Sequence, residues 1–325
     1  MISSTLDVDW ELRETGPTEA RHGVLLLPGG ACSAAFYNEL AAEPVLGDLR
    51  LVAATLPGHA GTPAPSDLST RNYGRLAAQL ATVKRCDMVL GFSMGSTIAL
   101  EMATTAGFTG PLILTGASFS RKAESAMLEV LDALARVTGA LPYAFMRSMF
   151  GPMLKQSTIP AERQAELLAE FKRNQPKELR KLIRAYLRDL GREPLIGDRL
   201  RALDAPVWFV HADKGDGRLT AQERRSLAGC PNVTVVTIPG RSFFLPNEHP
   251  AQLADLIVEA LATVSAAPAT TATPTAPAVV HRMTRSSATT DHERRGQGNS
   301  ASSAGQCCVG PFSRAGGPRA GFRRT

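Results

Sequence analysis

The sequence predicts an α/β fold, with a mostly parallel central sheet, helices on both of its faces and a helical cap set into it. Three observations point there. Short, continuously apolar runs alternate with longer helical patterns along most of the chain. One such run leads into Gly91–Phe92–Ser93–Met94–Gly95, a small-residue turn between a strand and a helix. One long interval, 120–203, breaks the rhythm and reads as helices alone.

Leu6–Glu14 reads as an antiparallel edge strand. Val24–Leu27 is a short buried strand running into Pro28–Gly29–Gly30. Leu51–Thr55 is the next, ending at Leu56–Pro57–Gly58, and Tyr73–Val83 follows as a covering helix. Met88–Leu90 leads to the small-residue turn, with Thr97–Thr105 as the helix beyond it. Leu112–Thr115, Val207–His211 and Val233–Ile238 complete the strands. Runs apolar at every position belong to strands buried on both faces, as in a parallel sheet between two helical layers.

Within 120–203, Lys122–Val137 places apolar residues at Met127, Leu131, Leu134 and Val137. Pro160–Asn174 and Pro176–Leu190 each open on a proline, which suits a first helical turn. An all-helical insertion between parallel strands sits over the strand ends where ligands bind. The expected organisation is therefore a core of 1–119 and 204–263, a cap of 120–203 and a tail of 264–325.

The formal net charge is +6, and the tail accounts for all of it, with eight arginines against Asp291 and Glu293. The body is neutral, which argues against specific nucleic-acid binding. The Ala-, Thr-, Pro- and Ser-rich composition from Ser265 onward offers too little apolar surface to offset ordering, so the tail is expected to be disordered. The cysteines, Cys32, Cys86, Cys230, Cys307 and Cys308, form no ligand spacing with histidine. An odd, sparse set fits a reducing compartment. The first residues lack a signal peptide's basic and apolar regions, and no apolar run is long enough to span a bilayer. The expectation is a cytoplasmic protein with no integral membrane segment, and with neither metal nor organic cofactor.

A serine on a strand–turn–helix elbow is held in a strained backbone, and flanking glycines let strand and helix approach. Ser93 is the candidate nucleophile. The backbone N–H of Met94, at the helix start, is aimed to meet a developing oxyanion. A second donor is expected from the loop after Val24–Leu27, where Gly30 N–H is the candidate.

On these marks the sequence resembles the alpha/beta-hydrolase superfamily, in its cap-bearing branch of esterases, lipases, C–C hydrolases and related enzymes. The likeness runs from roughly Val24 to Leu261, through LLLPGG, LPGHAGT, GFSMG, the helical insert, VHADKGDGRLT and PGRSFFLPNEHP. It implies an acid after the strand Val207–Val210, and Asp216 holds that position, with Asp213 the alternative. It implies a histidine after Val233–Ile238, and Phe243 stands there instead. His59 matches a common structural position of the family, read as loop packing with ligand contact as the alternative.

A serine without a base is a poor nucleophile at neutral pH. Among the six histidines, His281 and His292 lie in the tail, and His22 precedes the first central strand. His211, ending a strand beside Asp216, and His249, at the start of the last helix, remain the candidate bases. Two functions stay open. One is a serine hydrolase of a small apolar ester or thioester. The other is a non-catalytic relative that binds a small apolar acyl or carbonyl ligand, or a protein partner. The sequence leaves the oligomeric state open.

Overall fold

The computed structural model describes residues 6–117, 126–192, 196–215, 218–266 and 279–280. An eight-stranded sheet runs through it, in the order β1-β3-β2-β4-β5-β6-β7-β8. The strands are β1 (Glu11–Thr15), β2 (Gly23–Leu27), β3 (Arg50–Thr55), β4 (Met88–Phe92), β5 (Leu112–Thr115), β6 (Val207–Lys214), β7 (Val233–Arg241) and β8 (Val279–Val280). β1 lies antiparallel on β3, and every other pairing is parallel. The predicted edge strand therefore exists, but it starts at Glu11 rather than Leu6.

Alternate side chains of each strand enter opposite layers, as a period of two requires. Leu26, Leu90, Ile113 and Val210 enter one apolar cluster. Leu25, Leu27, Val89, Leu114 and Phe209 enter the other. On the second face lie α2 (Thr70–Val83) and α3 (Met94–Thr105). They approach closely, since a Cβ on Gly74 would come within 2.5 Å of the Glu101 Cβ. Glu101 itself is buried and paired with Arg199 at 2.5 Å, which ties α3 to α8 (Ile196–Arg201). The first face carries the single turn α1 (Asn38–Ala41) and the last long helix, α11 (Pro250–Ala266).

Between β5 and β6 stands the helical insertion: α4 (Ala126–Thr138), α5 (Leu141–Leu154), α6 (Ala161–Lys172) and α7 (Pro176–Leu190), before α8. α5 went unnamed among the sequence-read helices of this interval. Pro176 occupies the first turn of α7 as expected, whereas Pro160 sits just outside α6 in extended backbone. The cap shares its apolar interior with the sheet. Tyr143, Met146, Phe150 and Phe171 join Phe36, Phe92 and Phe244 in one cluster.

The last two helices are α9 (Ala221–Ala228), opened by a Thr220–Glu223 capping box, and the short α10 (Leu245–Glu248). His249 separates α10 from α11 in non-helical backbone, so Asn247 and Glu248 belong to a turn of their own. Two features fall inside the stretch expected to lack structure. α11 continues to Ala266, and Val279–Val280 pairs with Val235–Val236. The expected start of the cap at residues 120–125 lies outside the described residues.

Candidate active site

Strand order reverses between β2 and β4: the chain steps from β2 to β3 on one side, then crosses back to β4 on the other. A crevice forms at the carboxyl ends of strands at such a switch point. Both sequence-predicted loops open there, Pro28–Gly29–Gly30 after β2 and Ser93 after β4.

Ser93 has φ 51° and ψ −116°, a left-handed backbone that a serine adopts only when its surroundings enforce it. The enforcement is visible. Its N–H donates to Thr115 O at 2.8 Å, and its carbonyl accepts from the Ser96 N–H at 2.9 Å. The two flanking glycines make the turn possible. A Cβ on Gly95 would fall 2.0 Å from Leu27 O, and one on Gly91 would fall 2.5 Å from Gly95 O.

Two serines sit on this turn, and they differ in use. Ser96 Oγ lies 2.8 Å from Gly91 O and accepts the Thr115 N–H at 3.1 Å, so it braces the elbow from within. The Ser93 side chain makes no capping bond to its helix and is half-buried.

Met94 is the first residue of α3, where a backbone N–H has no intrahelical acceptor. Gly29 and Gly30 lie against it. A Cβ on Gly29 would stand 3.4 Å from Ser93 Cβ, and one on Gly30 would stand 3.6 Å from Met94 Sδ. Ser93, Met94 and Gly30 are thus brought together. The Gly29 loop is a turn closed by Cys32 N–H onto Gly29 O at 3.1 Å, with Ala31 at φ 66°.

Phe243 also belongs to this neighbourhood. Its ring meets Phe92, the residue before Ser93, edge-on at 5.6 Å. Phe92 stacks on Phe36 at 4.8 Å, and Phe244 reaches Phe150 of the cap at 6.1 Å. Phe244 is buried, but Phe243 is 39% exposed. An aromatic wall therefore runs from the elbow to the cap, with the Phe243 ring at its open edge.

The candidate bases lie in other settings. His211 is buried on β6, its Nδ1 2.7 Å from Ala212 O and its Nε2 3.0 Å from Thr237 Oγ1. Both ring nitrogens are engaged on β6 and β7. Burial also lowers its pKa below the ordinary value. His249 is half-buried between α10 and α11, and burial lowers its pKa too. His59 is buried, with burial pulling its pKa down to about 4, and its Nδ1 faces Pro57 O at 3.4 Å. It packs the loop as expected.

Asp216 lies outside the described residues. Asp213, the alternative acid, stands one residue before the end of β6 and accepts the Gly240 N–H at 2.7 Å, bracing β7 just before the Phe243 loop. That loop has a second brace, Glu248 at the end of α10. Glu248 Oε2 accepts from Ser242 Oγ at 2.6 Å and from the N–H groups of Phe243 and Phe244 at 3.0 and 2.8 Å. Its Oε1 accepts the Thr158 N–H of the cap at 3.2 Å. The only early signal was a carboxylate five residues past Phe243.

Among the described residues no three His, Cys, Asp or Glu side chains converge to hold a metal ion, and no helix is long and apolar enough to cross a membrane.

Comparison with solved structures finds the same architecture repeatedly. The thermophilic esterase from Thermogutta terrifontis (malate bound) is 18% identical at a TM-score of 0.63, over 79% of this chain and 94% of that one. MenH from S. aureus is 18% identical at a TM-score of 0.64, over 79% and 98%. The esterase RhEst1 from Rhodococcus sp. ECU1013 is 20% identical at 0.61, over 78% and 94%. No curated protein matches the sequence. The profile of the Alpha/beta hydrolase family matches residues 24–256, most of the chain and all of the site described above, and the protein belongs to that family.

Proposed function

We propose that the protein is a serine hydrolase of a small, apolar ester or thioester, slowed by the absence of a histidine at position 243. The backbone of Ser93 carries this reading: a strained serine beside a free helix-start N–H and a glycine loop is costly to build. In the proposed reaction Ser93 Oγ attacks the substrate carbonyl carbon, and its proton leaves to solvent or a distant base. Met94 N–H and Gly30 N–H receive the charge on the carbonyl oxygen. The alcohol or thiol departs with a proton, and water then hydrolyses the acyl-serine. Such donors retain a sizeable part of the rate acceleration when a triad is incomplete. The phenylalanine wall suits an apolar acyl group.

A second reading has its own observation. The Phe243 ring stands on Phe92 beside the elbow, and His211 is held elsewhere. Both favour a pocket that binds an apolar carbonyl ligand without turnover.

A serine-directed fluorophosphonate probe separates the two readings, because labelling needs an activated serine but no knowledge of the substrate. Slow labelling of the folded protein that disappears in Ser93→Ala supports the hydrolase. No labelling at any time favours the binding protein.

A further inference from the structure

Ala31 occupies a backbone that alanine avoids. It stands third in the turn closed by Cys32 N–H on Gly29 O, at φ 66°. That place in a turn ordinarily selects glycine, because a Cβ crowds the next carbonyl. Ala60, at φ 47° in the loop after β3, has the same difficulty. One side chain reaches both. Asn174, buried just past the end of α6, accepts the Ala60 N–H on Oδ1 at 2.8 Å. Its Nδ2 donates to Ala31 O at 2.8 Å and to Phe171 O at 2.7 Å. The amide orientation follows from the partners, since a backbone N–H needs the oxygen and two carbonyls need the nitrogen.

We infer that Asn174 is a positioning residue for the oxyanion hole. By holding the 31–32 peptide it keeps Ala31 left-handed, and that backbone torsion aims the neighbouring peptides, including the Gly30 N–H. The cap thereby sets the geometry of a donor in the core. Neither aspartate nor alanine fits all three bonds: aspartate accepts but cannot donate when ionised, and alanine does neither.

The inference rests on the reading of Gly30 as an oxyanion donor, so its test has one arm that needs no turnover. Amide hydrogen exchange of the full chain is compared for wild type, Asn174→Ala and Asn174→Asp. Asparagine to aspartate keeps the side-chain volume and the Ala60 bond but sets an acceptor against Ala31 O and Phe171 O, and continued protection of β2 and β4 shows that each variant is folded. Exchange at residues 30–34 is expected to rise at least about tenfold in both variants, while β2 and β4 stay protected. Unchanged exchange there overturns the proposal.

The second arm measures hydrolysis of a short-chain aryl ester. Donors act only where charge develops, and losing one outright costs about 10²–10³-fold in kcat. A misaimed one is expected to lower kcat by about tenfold to a hundredfold with KM nearly unchanged. Adding Ala31→Gly to Asn174→Ala is expected to restore part of kcat, because glycine holds φ 66° unaided. A purely structural asparagine would shift Tm without this split or this rescue. Faster exchange with unaltered kcat, in a protein whose turnover depends on Ser93, also overturns it. If wild type shows no Ser93-dependent turnover, the hydrolase reading fails, and exchange alone decides whether Asn174 sets the loop.

Discussion

At the level of single residues the site centres on Ser93, whose backbone is strained, and on Phe243, whose ring stands against Phe92 beside it. Ser93→Ala is expected to remove all turnover above background, read as aryl-ester hydrolysis in protein of unchanged Tm. Phe243→His is expected to raise turnover, since a positioned base contributes about 10²–10⁴-fold. Glu248 already holds the Phe243 N–H, so an imidazole would start from a braced backbone. Unchanged activity in Phe243→His would mean that the loop aims the ring away from Ser93. His59 makes a different prediction. Its pKa of about 4 when folded lies below the ordinary histidine value, so the unfolded chain takes up a proton first as pH falls. Stability present above about pH 6.5 is therefore lost down to about pH 4, by about 3 kcal/mol. His59→Gln is expected to flatten that part of the Tm–pH curve. An unaltered curve would place the acid sensitivity elsewhere.

At the level of elements, close approach decides what each strand and helix tolerates. Gly95→Ala drives a methyl group to 2.0 Å from Leu27 O, where backbone cannot yield cheaply. A loss of about 1–3 kcal/mol or more is expected in denaturant unfolding, with activity lost even in the folded fraction. The Glu101–Arg199 pair is buried on both sides, at 1% and 9% exposure. Glu101→Ala would take the carboxylate from a buried guanidinium that keeps Thr104 Oγ1 at 3.0 Å, and is expected to cost about 3–5 kcal/mol in urea unfolding. A loss below 1 kcal/mol would show that water reaches Arg199. These elements were legible early because their determinants are local: apolar runs bounded by glycine, and Gly91 and Gly95 around a serine. Asn174 and Glu248 were not. Asn174 meets Ala31 across 143 positions of chain, and its role exists only once the cap is folded onto the core. His211 was read as facing the site because it ends a strand on the right side of the sheet. Its engagement by Thr237 depends on strand register, which no single-strand pattern reveals.

For the whole molecule, the order of elements in the sequence was enough to predict a layered sheet with an insertion after β5. It was not enough to show how the insertion is fastened. Among the described residues α6 and its flanks tie it at four places: Thr158 to Glu248, Arg163 to Ala35 O at 2.5 Å, Arg173 to Glu11 at 2.5 Å, and Asn174 to two loops, while Asp189 of α7 holds the Thr70 N–H. α4 and α5 instead leave Val130, Leu134, Val137, Leu141 and Phe145 exposed. Motion that admits a substrate is therefore expected in α4–α5, with α6 still. Removing residues 267–325 is expected to shift Tm by less than about 2 °C, since the two-residue pairing of β8 adds little beside the rest of the sheet. A larger shift would show that the tail packs on the body.

The Asn174 bonds also bear on how such a protein can change over generations. An inserted domain that merely covers a site is a cassette: it can be traded between relatives to alter what fits beneath it. Here the insertion carries a part of the scaffold that shapes the loop below. A chimera given a foreign insertion without an asparagine at that point would inherit Ser93, Met94 and Gly30 intact, yet with Ala31 free to relax. Recombination at the insertion boundaries would then disturb the recipient's site without altering a residue of the loops after β2 and β4, unless Ala31 had first become glycine.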